Sequence, residues 1–125
     1  MGVTNSFMAL ARKESKKSDH AFPMGAVIVG KRPLGRGHNM TKTHPKYANP
    51  EIHVSTSIHA EIACLIDCSL SNGDTIYVYR EDKVGWPAMA RPCINCQNEL
   101  RKRGIKHMIY SIAHPPYYCV EDICP

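Results

Sequence analysis

No stretch of this chain approaches the ~20 consecutive apolar residues that a membrane-spanning helix needs. The N-terminus shows no charged segment followed by an apolar one, so it lacks the pattern of a secretory signal. There is no internal repeat and no low-complexity tract, which excludes solenoids and propellers. The basic residues form no dense stripe of the kind that marks an extended nucleic-acid track. Together these absences predict a soluble, cytoplasmic protein with no membrane partner.

What is present suits one domain spanning residues 1–125. A chain of 125 residues is long enough for a real core and too short for two. The net charge of +5, from 16 Lys and Arg against 11 Asp and Glu, either favours an anionic partner or serves solubility alone. An anionic partner would be a nucleotide phosphate or a nucleic acid. Six cysteines in a short chain could form a disulfide framework. Without a secretion signal, and with Cys93 and Cys96 spaced for a metal, the expectation is free thiols instead. Cys64 and Cys68 share a helix face and read as small buried hydrophobes. Cys119 and Cys124 lie near the C-terminus.

Two short motifs carry chemistry. His59-Ala60-Glu61 comes first, and Pro92-Cys93-Ile94-Asn95-Cys96 follows about one helix and one strand later. His59, Cys93 and Cys96 are metal ligands of the type zinc prefers. A structural zinc site usually closes all four positions with Cys or His, whereas a catalytic one keeps a position open for water. Here the obvious set stops at three. Glu61, two residues from the His, is where a general acid/base could stand beside that water.

Hydrophobic periodicity and turn residues predict the order α-β-β-α-β-α-β-β. The helices span about Thr4 to Lys17, His59 to Leu70 and Cys93 to Arg103, with Gly104 as the last one's stop. The strands are Gly25 to Val29, Leu34 to His38, Thr75 to Tyr79, Lys106 to Ile112 and, shorter, Tyr117 to Ile123. Lys31-Arg32-Pro33 and Asn72-Gly73 read as turns. Asn39 to Ser57 and Glu81 to Arg91 read as polar loops. This order suits a three-layer α/β/α sandwich around a mixed sheet of about five strands. Only about Ala113 to Pro116 joins the last two strands. A parallel pair needs a crossover of about a dozen residues, so these two should be antiparallel. Both metal motifs then fall at helix N-termini.

The pair of motifs matches the H-x-E…P-C-x-x-C signature of zinc deaminases. The chain resembles the cytidine and deoxycytidylate deaminase superfamily over roughly Phe22 to Ser111. The resemblance implies a cytidine-deaminase-like fold and Zn2+ held by His59, Cys93 and Cys96. It also implies hydrolytic loss of an exocyclic amine, with Glu61 as the proton carrier. Zinc lowers the pKa of its water toward ~7, and Glu61 would pass the proton to the ring nitrogen and then to the leaving amine. By the same resemblance the backbone at Ala60 faces the base, and Asn39 in Gly37-His38-Asn39 contacts the sugar. Asn39 could equally start a turn. Lys42 and His44 could hold a 5′-phosphate or form a solvated loop. Trp86, the only tryptophan, could stack on the base or simply pack. His20, His38, His107 and His114 read as scattered, exposed residues.

The branch signals are mixed. Antiparallel final strands resemble the free-nucleoside cytidine deaminases, whereas His59 as first ligand resembles the deoxycytidylate and tRNA-editing enzymes. Gly37-His38-Asn39-Met40 departs from the Gly-Tyr-Asn-Gly stretch of deoxycytidylate enzymes, and the short C-terminus departs from the tRNA adenosine enzymes. The leading expectation is deamination of a small cytosine nucleotide or nucleoside, dCMP first, by a homo-oligomer. The alternatives are a deaminase acting on adenine or cytosine within RNA or DNA, and a non-catalytic zinc-stabilised binding module.

Overall fold

The computed structural model describes residues 2–30, 33–40, 59–67 and 75–123. The elements run α1 (Gly2–Ser15), β1 (Met24–Val29), β2 (Pro33–His38), α2 (Ala60–Asp67), β3 (Thr75–Glu81), β4 (Pro87–Ala88), α3 (Ile94–Lys102), β5 (His107–Ser111) and β6 (Tyr118–Asp122). The six strands form one sheet in the order β2-β1-β3-β5-β6, with β4 paired to the end of β3. All neighbours are antiparallel except β3 and β5.

Strand alternation divides the core into two layers. Ala26, Ile28, Ile76, Val78, Met108 and Tyr110 face α2 and α3, where Ile62, Cys64, Leu65, Cys96 and Leu100 meet them. Val27, Val29, Tyr77, Tyr79 and Ile109 face the other way, against Phe7, Met8, Leu10 and Ala11 of α1. Because the side-chain period of a strand is two, β1, β3 and β5 each serve both layers, giving the expected three-layer sandwich. The antiparallel closure of β5 on β6 is also as expected.

The expected element order holds, with one addition. Glu81 to Arg91, read as an irregular loop, contains β4, whose Ala88 and Pro87 pair with Arg80 and Glu81. The reversal is made by Asp82. Its Oδ1 accepts the backbone N–H groups of Val84, Gly85 and Trp86, each at 2.9 Å. Such an Asx turn depends on one side chain, so a polarity pattern does not reveal it. The α3 stop is as expected: Gly104 has φ +85°. The N–H groups of Gly104 and Ile105 bond to Arg101 and Leu100 carbonyls at 3.0 Å, a Schellman closure. The hairpin residues Lys31 and Arg32, the Asn72-Gly73 turn and most of the long loop after Asn39 lie outside the described residues.

Gly37 on β2 sets the height of α2 above the sheet. A Cβ there would stand 2.3 Å from the Cys64 backbone nitrogen and 2.7 Å from the Ala60 carbonyl oxygen. Only a residue without a Cβ lets the helix that follows His59 lie this close. Gly37→Ala should therefore lift α2, at a cost of about 1–3 kcal/mol for overpacking. The expected result is a lower melting temperature together with substoichiometric zinc by metal analysis. A variant with unchanged stability and full zinc would refute this packing argument.

Candidate active site

Both motifs occupy the starts of helices. The His59 carbonyl accepts the Ala63 N–H at 3.1 Å, and the Cys93 carbonyl accepts the Gln97 N–H at 2.9 Å. Each residue thus makes the first bond of its helix, α2 or α3. Cys93 is the N-cap residue of α3 and stays extended, while Cys96 is fully buried in the first turn. Unpaired N–H groups and the helix dipole at such a start favour a thiolate.

The ligand atoms of His59, Cys93 and Cys96 all lie within 4.8 Å of one another. His59 Nδ1 is 3.2 Å from Cys96 Sγ and 3.7 Å from Cys93 Sγ. Tetrahedral zinc, with sulfur at about 2.3 Å and nitrogen at about 2.0–2.1 Å, requires an N···S separation of roughly 3.5 Å. The two distances bracket that value, so these three residues fit a zinc ion and Nδ1 is the nitrogen that faces it. Among the described residues this is the sole group of three or more such side chains that could hold a metal.

The donors are electrostatically linked. Hydrogen bonds from Cys96 and His59 draw the Cys93 thiol down to about 3. Cys96 moves the other way, because it donates to Cys93 and is buried. His59 is raised by its bond to Cys93, against its burial. Without metal the cluster therefore keeps the proton on Cys96 beside a Cys93 thiolate, and His59 holds a proton more readily than a free imidazole does. Zinc requires deprotonated sulfur and neutral imidazole.

Glu61 stands next to this cluster, buried to 2 % exposure. Burial pushes its carboxyl up to about 6, against its own backbone N–H and the His59 charge. A carboxyl poised there can both take and return a proton near neutral pH. Glu61, His59 and Cys93 line a cavity of about 330 Å³ with His20, Phe22, Met24, Asn39, Arg80 and Arg91. That volume is at the small end of ligand pockets.

Asn39 is buried and lines this cavity, and its amide is largely occupied by protein. Its Oδ1 accepts the Met24 N–H at 2.9 Å and the Ser18 hydroxyl at 2.6 Å, while Nδ2 donates to the Phe22 carbonyl at 2.8 Å. Asn39 thereby anchors the segment that carries His20, Phe22 and Met24 into the wall. Among the described residues no acceptor takes the second Nδ2 proton, which leaves it for a ligand. Ala60 is buried at the start of α2, and its side chain does not line the cavity. Trp86 does not line it either. It is 60 % exposed and lies 6.4 Å from the Tyr117 ring, carried there by the Asp82 turn. Lys42, His44, Cys68 and Cys124 lie outside the described residues.

Sequence reasoning passed over several wall residues. His20 is not a bystander; it is half-buried and lines the cavity. His38 is likewise half-buried, 3.0 Å from Glu14 Oε1. Phe22 from the segment before β1, Met24 from β1 and Arg80 from β3 reach the site by tertiary packing, and no local pattern announces them.

Ser111, fully buried at the end of β5, fastens the approach to the second motif. Its hydroxyl donates to the Ala88 carbonyl at 2.7 Å and accepts the Arg80 N–H at 3.0 Å. Its carbonyl takes the Ala90 N–H at 3.0 Å. Gln97 closes the same segment by donating to the Pro92 carbonyl at 2.8 Å.

Three protein donors leave one tetrahedral position open, and a buried carboxylate stands beside them. That is the arrangement of a zinc-dependent hydrolase rather than of a structural zinc knot. Residues 1–112 match the cytidine and deoxycytidylate deaminase zinc-binding region. No curated protein matches the chain by sequence. Among solved structures, cytidine deaminase from Burkholderia pseudomallei is similar at TM-score 0.68 and 15% identity, over 95% of this chain and 91% of that one. The dCMP deaminase of cyanophage S-TIM5 in apo form is similar at TM-score 0.64 and 20% identity, over 89% and 83%. The same enzyme in complex with dCMP and dUMP gives 0.64 and 19%, over 90% and 83%. The chain belongs to the cytidine and deoxycytidylate deaminase family and is a zinc-dependent deaminase of that class.

Zinc uptake should release the proton of Cys96, so zinc affinity should rise with pH across the neutral range. Calorimetry in buffers of different ionisation enthalpy measures the release directly. Zinc binding with no proton release at pH 6–7 would contradict the protonation pattern described above.

Proposed function

We propose that the protein catalyses hydrolytic deamination of a small cytosine nucleotide or nucleoside, dCMP to dUMP and ammonia being the leading reaction. The observation that carries this reading is the buried Glu61 carboxyl beside a three-donor zinc cluster, on one wall of a cavity of small-ligand size. The family match and the likeness to enzymes of dCMP and of cytidine support the base.

Bound zinc supplies Lewis acidity, which makes hydroxide available at neutral pH. His59, Cys93 and Cys96 hold the ion. Glu61 takes the proton released by the attacking water on its carboxylate. It delivers that proton to the ring nitrogen next to the carbon under attack, then takes the second proton of the same oxygen and gives it to the departing amine. The C–N bond breaks, ammonia leaves and a carbonyl remains. Glu61 starts and ends ionised, so the cycle balances. Its low exposure keeps bulk water from competing for the proton. The Nδ2 proton of Asn39 that no described residue takes is suited to a sugar hydroxyl.

We also read the protein as a homo-oligomer. Val84, Trp86, Met89, Ile94 and Val120 are large apolar residues left exposed, and their burial in a subunit contact would be favourable. Light scattering at micromolar concentration should give a multiple of the 14.0 kDa chain mass. A monomer alone would refute this.

Ammonia release by the zinc-loaded protein tests the reaction, with dCMP, cytidine and single-stranded DNA in parallel. Glu61→Gln keeps the shape of the side chain and removes the base. It should retain one zinc per chain and lose about 10²- to 10⁴-fold in kcat. Release from the polynucleotide alone would replace the small-substrate reading. Equal activity in Glu61→Gln would remove Glu61 from the chemistry.

A further inference from the structure

The cavity that holds Glu61 and the zinc donors also carries two guanidinium groups, Arg80 and Arg91. They come from different parts of the chain, Arg80 near the end of β3 and Arg91 just ahead of Pro92. Both are held in place. Glu121 of β6 grips Arg91 by two parallel bonds, Nε to Oε1 at 2.8 Å and Nη2 to Oε2 at 2.9 Å. Tyr110 on β5 donates to the same carboxylate at 2.5 Å. Among the described residues Nη1 of Arg91 keeps its donors uncommitted.

Arg80 is positioned without a counter-charge. Its guanidinium lies 5.3 Å from the centre of the Phe22 ring, and Nη1 reaches the Met89 carbonyl at 3.4 Å. Nε is buried and has no hydrogen-bond partner among the described residues. No carboxylate pairs with Arg80 among the described residues. A buried unsatisfied donor on a cation is costly unless a ligand completes it. Arg80 and Phe22 also line a second cavity of about 450 Å³, where Lys16 and Lys83 stand with Glu81 and Asp82. Arg80 therefore sits where the zinc cavity and its neighbour meet. His20 adds another donor, since its Nδ1 accepts the Phe22 N–H at 3.0 Å and the neutral ring then carries its proton on Nε2.

We propose that Arg80 and Arg91 form an anion-recognising wall that selects substrates carrying a phosphate on the sugar. This rests on the deaminase reading above and narrows it: the preferred substrate is a cytosine nucleotide rather than the free nucleoside. The zinc end of the cavity is lined by His59, Glu61 and Cys93, and two thiolate donors would offset the charge of a bound zinc ion, so that end offers a phosphate no spare cation. A phosphorylated ligand therefore needs cations at its other end. The planar guanidinium matches phosphate oxygens in geometry as well as charge. The small cavity favours a mononucleotide as the source of the phosphate over the backbone of a single-stranded polynucleotide, which carries the same group.

Binding of the reaction products tests the wall without requiring turnover. Calorimetry on zinc-loaded protein would compare deoxyuridine, dUMP and a short oligodeoxyuridylate. In the wild type, dUMP should bind about ten- to a hundredfold more tightly than deoxyuridine, the scale of one or two charge-assisted bonds. Arg80→Gln should remove most of that advantage, Arg91→Gln part of it, and Arg80→Lys should retain some. Inorganic phosphate should weaken dUMP binding and leave deoxyuridine binding alone, a measurement that needs no variant. Tighter binding of the oligonucleotide than of dUMP, lost in Arg80→Gln, would keep the wall and assign its phosphate to a polynucleotide. Equal affinity for dUMP and deoxyuridine, no binding of either, or an advantage that survives both Gln variants would overturn the proposal. Ammonia release is scored separately. Absence of turnover with the dUMP preference intact would remove the deaminase reading and leave the phosphate site. Equal kcat/KM for dCMP and deoxycytidine with equal product binding would do the reverse.

Discussion

The direction of three strands decides where everything else falls. β1 is antiparallel to both β2 and β3, so β2 and β3 point the same way, and β5 is parallel to β3. Parallel strands in one sheet must be joined by crossovers, and such crossovers are right-handed almost without exception. The links from β2 to β3 and from β3 to β5 step across the sheet in the same sense. Both must therefore cover the same face, as the shared core of α2 and α3 shows. Each helix also begins at the same edge, beyond the carboxyl ends of the parallel strands. Two ligand-bearing helix starts thus meet there because the chain has nowhere else to put them, and three donors from distant sequence converge on one point.

This explains which parts of the protein were legible in the sequence. His59, Glu61, Cys93 and Cys96 could be read because each motif is local and its spacing is dictated by one helix turn. The strand and helix order was legible through periodicity, and the direction of the last strand through the shortness of its connection. The cavity wall was not legible. Phe22, Arg80 and His20 become neighbours only when β1, β3 and the segment before β1 are side by side, and nothing in their local sequence differs from a solvated loop. Trp86 shows the opposite case. A lone tryptophan shortly before the second motif invites a role at the base, yet a single aspartate turns its loop toward Tyr117. Asn39 combines both cases. Its place after β2 marks it for the site, but its hydrogen bonds to Ser18, Met24 and Phe22 show that holding the wall is work the sequence could not disclose.

The site is built on backbone proximity as much as on side chains. Gly37 permits α2 to lie against β2, and Ser111 joins the end of β3 to β4 with its hydroxyl and holds the residues before Pro92 with its carbonyl. The metal donors stand at the starts of α2 and α3. Their precision is inherited from the two helices, and the helices inherit theirs from a close fit to the sheet.

The family match ends at residue 112, whereas β6 runs from Tyr118 to Asp122. This last strand supplies Glu121, whose carboxylate neutralises Arg91 and is held down to about 2 by the guanidinium and by Tyr110. The charge of the pocket is thus set partly from outside the region that defines the family. An exchange at position 121 would leave both zinc motifs intact and yet release a full positive charge into the wall of the cavity. A lineage could in this way retune which anions it admits by changing its final strand, while the machinery that breaks the C–N bond stays as it is.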